Sequence, residues 1–220
     1  MERAEFIQHW SYFCSLAERL DETKHYIDHG VRECGGEKIL THGEVYSDIF
    51  KQIIVLSASE FEIISKALCQ EKEKKVENIK DISETILSEF PKIVDFQVST
   101  PFWINVPLYA WKCKDGKVSG LEWWKAYNSI KHCEKSSYSC ATLQNAIFSL
   151  EALYIMELYL MYTLFDNMRI AYEYPCVYFK CKYLSYPTSM GEGKLPDFGD
   201  LSPGERMRKD FPDFFDNTLL

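Results

Sequence analysis

The chain lacks most of the local signatures that announce a chemistry. It has no Gly-rich phosphate loop, no G-x-S-x-G elbow and no HExxH pair, which sets aside the mechanisms built on those motifs. Its 8 cysteines are scattered and none stand at CxxC spacing, so they read as free thiols in a reducing compartment. Positive charge is scarce. With 25 Lys and Arg against 33 Asp and Glu, the formal charge is −8. A general electrostatic grip on nucleic acid wants a basic surface, so only a local basic pocket could serve one. The opening Met1-Glu2-Arg3-Ala4-Glu5 is charged and has no apolar signal region, which leads to the expectation of a cytoplasmic protein. There is no internal repeat and no low-complexity segment.

What is present is apolar and aromatic. The 220 residues are 46% hydrophobic and 15% aromatic, enough for one domain with a full core, or one domain plus an appendage. Phe6, Trp10, Phe13, Leu16 and Leu20 recur at helical spacing and predict a helix from Arg3 to about Leu20. Gly30, Gly35 and Gly36 break the chain. A second helix is expected from Glu44 to about Gln70, with Tyr46, Phe50, Ile53, Phe61, Ile64 and Leu68 on one face. The run Glu71 to Lys75 is a solvated end. A third helix covers Asn78 to Phe90, stopped by Pro91. Residues 92–120 read as an irregular insertion with short strands. A fourth helix starts near Leu121, pauses near Lys135-Ser136-Ser137 and resumes from about Ser139 to Asn167.

That last stretch is apolar nearly all round, which marks a central helix or a membrane span. Glu151 and Glu157 interrupt it and would be costly in a bilayer. A bundle helix with its glutamates at an edge is expected instead. Beyond it, Tyr172 to Tyr183 alternates like a strand or hairpin arm. Ser202-Pro203-Gly204-Glu205 is a plausible helix start, and Phe198, Phe211, Phe214 and Phe215 suggest a tail folded over the body or a partner.

The segment Trp123-Trp124-Lys125-Ala126-Tyr127-Asn128-Ser129-Ile130-Lys131-His132 gathers the candidate chemistry. Asn128 and His132 are i and i+4 and share a helix face. A neutral imidazole can take a proton from a hydroxyl and return one to a leaving group. Lys131 and Lys125 could hold a phosphate, and Asn128 could orient the imidazole or the substrate. An ordinary histidine at a helix end fits the residue types as well. Glu60 stands inside an apolar stripe and needs a partner. His25 and His29, with Cys34 nearby, have no recognisable fourth ligand and read as a solvated helix end. Cys176 and Cys181, on a strand, would face opposite sides and form neither a ligand pair nor a disulfide.

Tyr127-Asn128-Ser129-Ile130-Lys131-His132, leading into a long apolar helix, resembles the motif region of the HEPN superfamily of helical-bundle proteins, many of them RNases of defence and toxin–antitoxin systems. The family motif runs Arg, a polar residue such as Asn, three variable residues, then His. Here the Asn and His match, and Tyr127 stands where the family has Arg. The resemblance covers about residues 1–170. It implies metal-independent RNA cleavage, in which the 2′-hydroxyl attacks the adjacent phosphate and leaves a cyclic phosphate. His132 would be the general acid or base, Asn128 would position it, and Tyr127 and Lys131 would stand beside the phosphate. It also implies an earlier acidic residue meeting the motif, here Glu60 against Asn128, Lys131 or His132, and a site built across a homodimer.

The expectation is therefore a mainly all-α protein: a four- to five-helix bundle over 1–170, with 92–120 irregular, and a C-terminal appendage over 171–220. It would need no metal or cofactor, stay off the membrane, and work on RNA, with an antitoxin-like protein as a further partner. The alternative is a catalytically inert helical module that binds a nucleotide, an RNA or a protein.

Overall fold

An apolar stripe holds a helix in place only when something covers it, and the structure shows what covers each one. The computed structural model describes residues 1–112, 120–132, 138–184 and 197. The protein is mainly α-helical. Among the described residues α1 spans Arg3–Glu22, α2 Asp48–Glu71, α3 Ile79–Glu89, α4 Glu122–Lys131, α5 Leu143–Phe165 and α6 Arg169–Glu173. Two small antiparallel ribbons join them: β1 (Val31–Cys34) with β2 (Glu37–Leu40), and β3 (Val98–Ser99) with β4 (Ile104–Asn105).

Local chemistry sets the helix starts. Ser47 accepts the Phe50 amide at 3.2 Å and caps α2. Asn78 accepts the Lys80 and Asp81 amides and caps α3. Thr142 accepts the Asn145 amide at 3.2 Å and caps α5. Two of these starts are tied together, because the Ser47 amide donates to the Ala141 carbonyl and the Leu143 amide to the Val45 carbonyl. From that shared origin α2 and α5 run side by side in the same direction. Ser57 reaches Ser149 between them at 2.7 Å. α1 runs the opposite way along α2, with His9 against Glu60 and Arg19 against Gln52. α4 fits against both α2 and α5, and α3 against α2.

α5 is the centre. Leu143, Ala146, Ile147 and every residue from Ser149 to Tyr162 are buried. The helix is long and apolar enough to cross a membrane, but 83% of its apolar window is buried inside the protein. The irregular insertion is anchored by Val98, Leu108 and Trp111, which join the same core. The break expected at the glycines is a hairpin. Gly35 and Gly36 have φ of +61° and +85°, the left-handed pair that a two-residue turn between twisted strands requires.

Residues 172–183 correct the sequence expectation of a strand. Helix α6 runs on to Glu173, and a lone bridge between Ser99 and Lys180 is followed by a 3₁₀ turn over Lys182–Leu184. The apolar residues of this segment are inserted into the core from an irregular backbone, not from a ladder. Tyr178, Phe179, Cys181 and Tyr183 are all buried there, and the Trp10 indole donates to the Tyr174 carbonyl at 2.7 Å. The start of the expected appendage is thus inlaid in the bundle. The pause at 135–137, the helix start at 202–205 and Phe198, Phe211, Phe214 and Phe215 lie outside the described residues.

The glutamates of α5 are a second correction. Glu151 and Glu157 are both 0% exposed, not at an edge. A helix covered on all sides has no edge to offer them. Asn105 donates to Glu151 Oε2 at 2.6 Å, while both oxygens of Glu157 are without a hydrogen-bond partner. Burial pushes the Glu151 carboxyl up to about 8, and burial followed by the nearby Glu60 raises Glu157 well above the carboxylate range. His29 departs from expectation too. It is buried, hydrogen-bonded to Thr23 Oγ1 at 2.9 Å and to the Tyr178 hydroxyl at 2.7 Å, and burial then Lys24 lowers it to about 4.

The two shifts give opposite pH slopes. Glu151 titrates near 4.5 when unfolded and about 8 when folded, so its contribution to stability falls as pH rises between those values. Glu151→Gln removes that fall, seen as a flatter thermal midpoint from pH 5 to 8. His29 titrates at 6.5 unfolded and about 4 folded, so its contribution is complete above 6.5 and falls as pH drops toward 4. His29→Gln flattens the midpoint over that window. Glu157→Met replaces an unpartnered buried carboxyl by an apolar chain of similar size and raises stability at pH 8 by roughly 1–3 kcal/mol, measured by denaturant unfolding.

Candidate functional site

Three-residue and four-residue spacing also decides what α4 hides and what it shows. Trp123, Ala126, Tyr127 and Ile130 are buried on its inner face. Phe61 of α2 meets the Trp123 ring edge-on at 5.1 Å between centroids and the Trp124 ring at 6.0 Å. Asn128 is half-buried, and Lys131 and His132 are exposed at the end of the helix. His132 is the C-cap, its amide donating to the Asn128 carbonyl at 3.0 Å. The Asn128, Lys131 and His132 side chains have no hydrogen-bond or ion-pair partner among the described residues. Three polar groups without a hydrogen-bond or ion-pair partner among the described residues therefore sit at one end of α4.

Tyr127, in the place of the motif arginine, is only 6% exposed. Its ring packs on Trp124 at 5.1 Å, and the Lys131 ammonium stands 5.5 Å from its centroid. Tyr127 is thus the platform on which Lys131 rests, a cation–π contact, rather than a group presented to a ligand. Lys131 also complements the carbonyl end of the α4 dipole. Lys125 is ion-paired with Glu122 at 2.6 Å, so its charge is partly neutralised. Cys133 lies outside the described residues.

Glu60 does not meet this turn. Its carboxylate pairs with His9 Nδ1 on α1, and it makes no contact of hydrogen-bond length with Asn128, Lys131 or His132. Successive helix residues point about 100° apart. Phe61 faces α4, and that turns Glu60 toward α1. Glu157 lies close enough to Glu60 to feel its charge, so the bundle interior holds a His9–Glu60–Glu157 group. The sequence signal for it was present but unread: His9 lies beside the Phe6–Trp10–Phe13 stripe, opposite the one acidic residue in the α2 stripe.

Among the described residues no group of three or more His, Cys, Asp or Glu could hold a metal ion. His29 is committed to Thr23 and Tyr178, which removes it from the His25–His29–Cys34 arrangement. A surface cavity of about 660 Å³ lies at the start of α5, with Arg32, His42, Tyr46 and Gln144 in its wall. The first amides of α5 are already taken by the Val45 and Gly43 carbonyls and the Thr142 hydroxyl, so that helix start offers no anion site. Cys176 and Cys181 face the same cavity, of about 360 Å³, rather than opposite sides. The residues between them turn instead of extending.

The fold and the α4 turn together define a mainly α-helical protein with an exposed Asn–Lys–His group at a helix end. No protein-family model matches the chain, and no curated protein or solved structure is significantly similar to it.

The packing makes Tyr127 testable. Its hydroxyl has no hydrogen-bond partner among the described residues, so Tyr127→Phe leaves stability within about 1 kcal/mol. Tyr127→Ala opens a cavity between Trp124 and α2 and costs about 3 kcal/mol. Urea unfolding of the two variants beside wild type checks both figures.

Proposed function

We propose that the protein is an HEPN-like, metal-independent ribonuclease, or a toxin or defence component derived from one, acting in the cytoplasm. The observation that carries this reading is the free Asn128–Lys131–His132 turn. These are three groups that can hydrogen-bond or carry charge, without a hydrogen-bond or ion-pair partner among the described residues.

In this reading His132 takes the proton from an RNA 2′-hydroxyl as that oxygen attacks the adjacent phosphorus, or gives one to the departing 5′-oxygen. A cyclic phosphate and a free 5′-hydroxyl result. Asn128, one turn back on the same face, donates its amide to the phosphate or to the imidazole. Lys131, on the same turn, supplies positive charge toward the charge that builds on the phosphate, the place where it contributes most. It lacks the two-pronged geometry of arginine. One turn of one helix also offers a substrate only one side. A second copy of the chain would supply the other, which is why a homodimer belongs to the proposal. An antitoxin-like protein covering the turn is a further partner consistent with it.

A second reading has its own observation. The buried, uncharged Tyr127 at the arginine position favours a module that binds RNA or a nucleotide without cleaving it.

One experiment separates the two. Purified protein is incubated with mixed RNA in excess EDTA, beside His132→Ala and Lys131→Ala, and RNA binding is followed by fluorescence anisotropy. The nuclease reading expects cleavage that His132→Ala lowers about 100-fold or more. The module reading expects no cleavage, with binding weakened by Lys131→Ala. If all three proteins neither cleave nor bind while remaining folded, both readings fail.

A further inference from the structure

We propose that the cavity between α1, α5 and the segment after α6 binds a small apolar carboxylate. A ring or a short chain fills the cavity, and the anionic end rests on Lys180. This site lies apart from the α4 turn in the chain and does not depend on what that turn does.

A cavity persists only where its walls cannot close on it. Here a row of rings makes one wall. Trp10 of α1 lies 6.1 Å from Tyr154 of α5, and Tyr154 lies 6.2 Å from Phe179, centroid to centroid. All three rings are at most 1% exposed, so the core holds them in place. The Trp10 indole donates to the Tyr174 carbonyl at 2.7 Å, which keeps the next residues, Pro175 and Cys176, against α1. Ala171 of α6 also lies in the wall, and its side chain ends at Cβ. The space left is about 360 Å³, inside the roughly 300–1,000 Å³ range of small-molecule sites. It suits one fused ring system or a chain of about eight carbons.

The polar groups of this wall are already engaged. The indole N–H is taken by Tyr174, the Tyr154 hydroxyl donates to the Cys181 sulfur at 3.7 Å, and the Cys176 sulfur accepts the Phe179 amide at 3.5 Å. What the wall offers is ring faces and aliphatic groups, which an apolar body covers without stranding a donor. Lys180 is different. Its backbone exchanges two hydrogen bonds with Ser99, at 2.7 and 2.9 Å, so its place in the cavity wall is set by β3. Its side chain is exposed and has no hydrogen-bond or ion-pair partner among the described residues.

Charge selects the ligand's other end. Glu173, at the end of α6, is paired with both Arg3 at 3.1 Å and Arg169 at 2.7 Å, so its carboxylate is not left to compete for Lys180. Lys182, two residues on, adds a second cation and stands 5.3 Å from the Tyr183 centroid. The segment is therefore locally basic on a chain of formal charge −8. An ammonium meets a carboxylate in a short, charge-assisted hydrogen bond. No guanidinium stands beside Lys180 among the described residues of the wall, so the two-pronged grip that favours phosphate is missing. One charge on an apolar body is the match.

The test uses the intact protein and two matched pairs of probes: indoleacetate with its neutral analogue tryptophol, and octanoate with octanol. Titration calorimetry at low salt gives each affinity. At least one acid is expected to bind, and which of them binds tighter tells a ring from a chain. Its neutral analogue binds about 10-fold more weakly, a comparison made on wild type that needs no variant to fold. In Lys180→Met, which keeps the stem and removes the charge, acid and neutral analogue bind alike. Ala171→Leu puts a side chain into the cavity and abolishes binding of both, with circular dichroism confirming its fold. Failure of both acids to bind wild type at about 1 mM, equal binding of acid and neutral analogue, an acid preference that survives Lys180→Met, or unchanged binding to folded Ala171→Leu overturns the assignment.

Discussion

The structure depends on α5 having no side left for water. A helix of 23 residues whose apolar surface runs all the way round must be covered in every direction, and no single neighbour can do it. α2 takes the longest contact, starting from a shared backbone bridge at Tyr46 and Thr142. α1 and α4 close two further sides. The remaining gap is filled by Tyr178, Phe179, Cys181 and Tyr183. Each covering element gives up its apolar stripe to α5, so its polar residues face outward or meet one another. The position of the α4 turn follows from this division.

The same constraint explains the odd electrostatics of the interior. Burying a carboxyl is tolerable when it stays neutral, and an element wrapped on all sides offers no alternative. Glu151 keeps one hydrogen bond from Asn105, and Glu157 keeps none. Two acids in the most apolar helix are thus held protonated by position rather than by ion pairs. Glu60, on the neighbouring α2, is buried but paired with His9 of α1. It carries the pairing that Glu157 cannot reach.

Much of this was legible in the residues. Helix periodicity places α1, α2, α3 and α5 within a few residues of where they fold, and the capping residues Ser47, Asn78 and Thr142 account for most of the difference. The failures share one cause. Local pattern tells how a residue faces its own element but not which element lies opposite. Glu60 shows this most clearly: its burial was readable, but that Phe61 would claim α4 and turn Glu60 to α1 was not. Alternation over 172–183 reads as a strand because strands produce period two, but here an irregular segment puts Tyr178, Phe179, Cys181 and Tyr183 into the core. On a strand Cys176 and Cys181 would face opposite sides, whereas the turn brings both to one cavity. The α4 turn was legible as a set, since Asn128, Lys131 and His132 lie on one outward turn, while the burial of Tyr127 depended on Trp124 lying beside it.

What the α4 turn can attract is limited by charge. The chain carries a formal −8, so the field around it repels a polyanion at long range, and salt screens that repulsion within about 10 Å. The carbonyl end of α4 adds partial negative charge at the site itself. Among the described residues of this turn, the Lys131 ammonium stands against these, held over the Tyr127 ring at 5.5 Å. Neutralising few phosphates gives a shallow salt dependence, unlike proteins that grip nucleic acid along a basic face. Recognition at this turn must therefore be short in reach. Under the proposed ribonuclease reading, the turn would meet a single phosphodiester, with further positive charge supplied by a second chain. Under that same proposal, burying Tyr127 against Trp124 would leave the helix without a charge of its own there, and the electrostatic requirement would fall to whatever faces it.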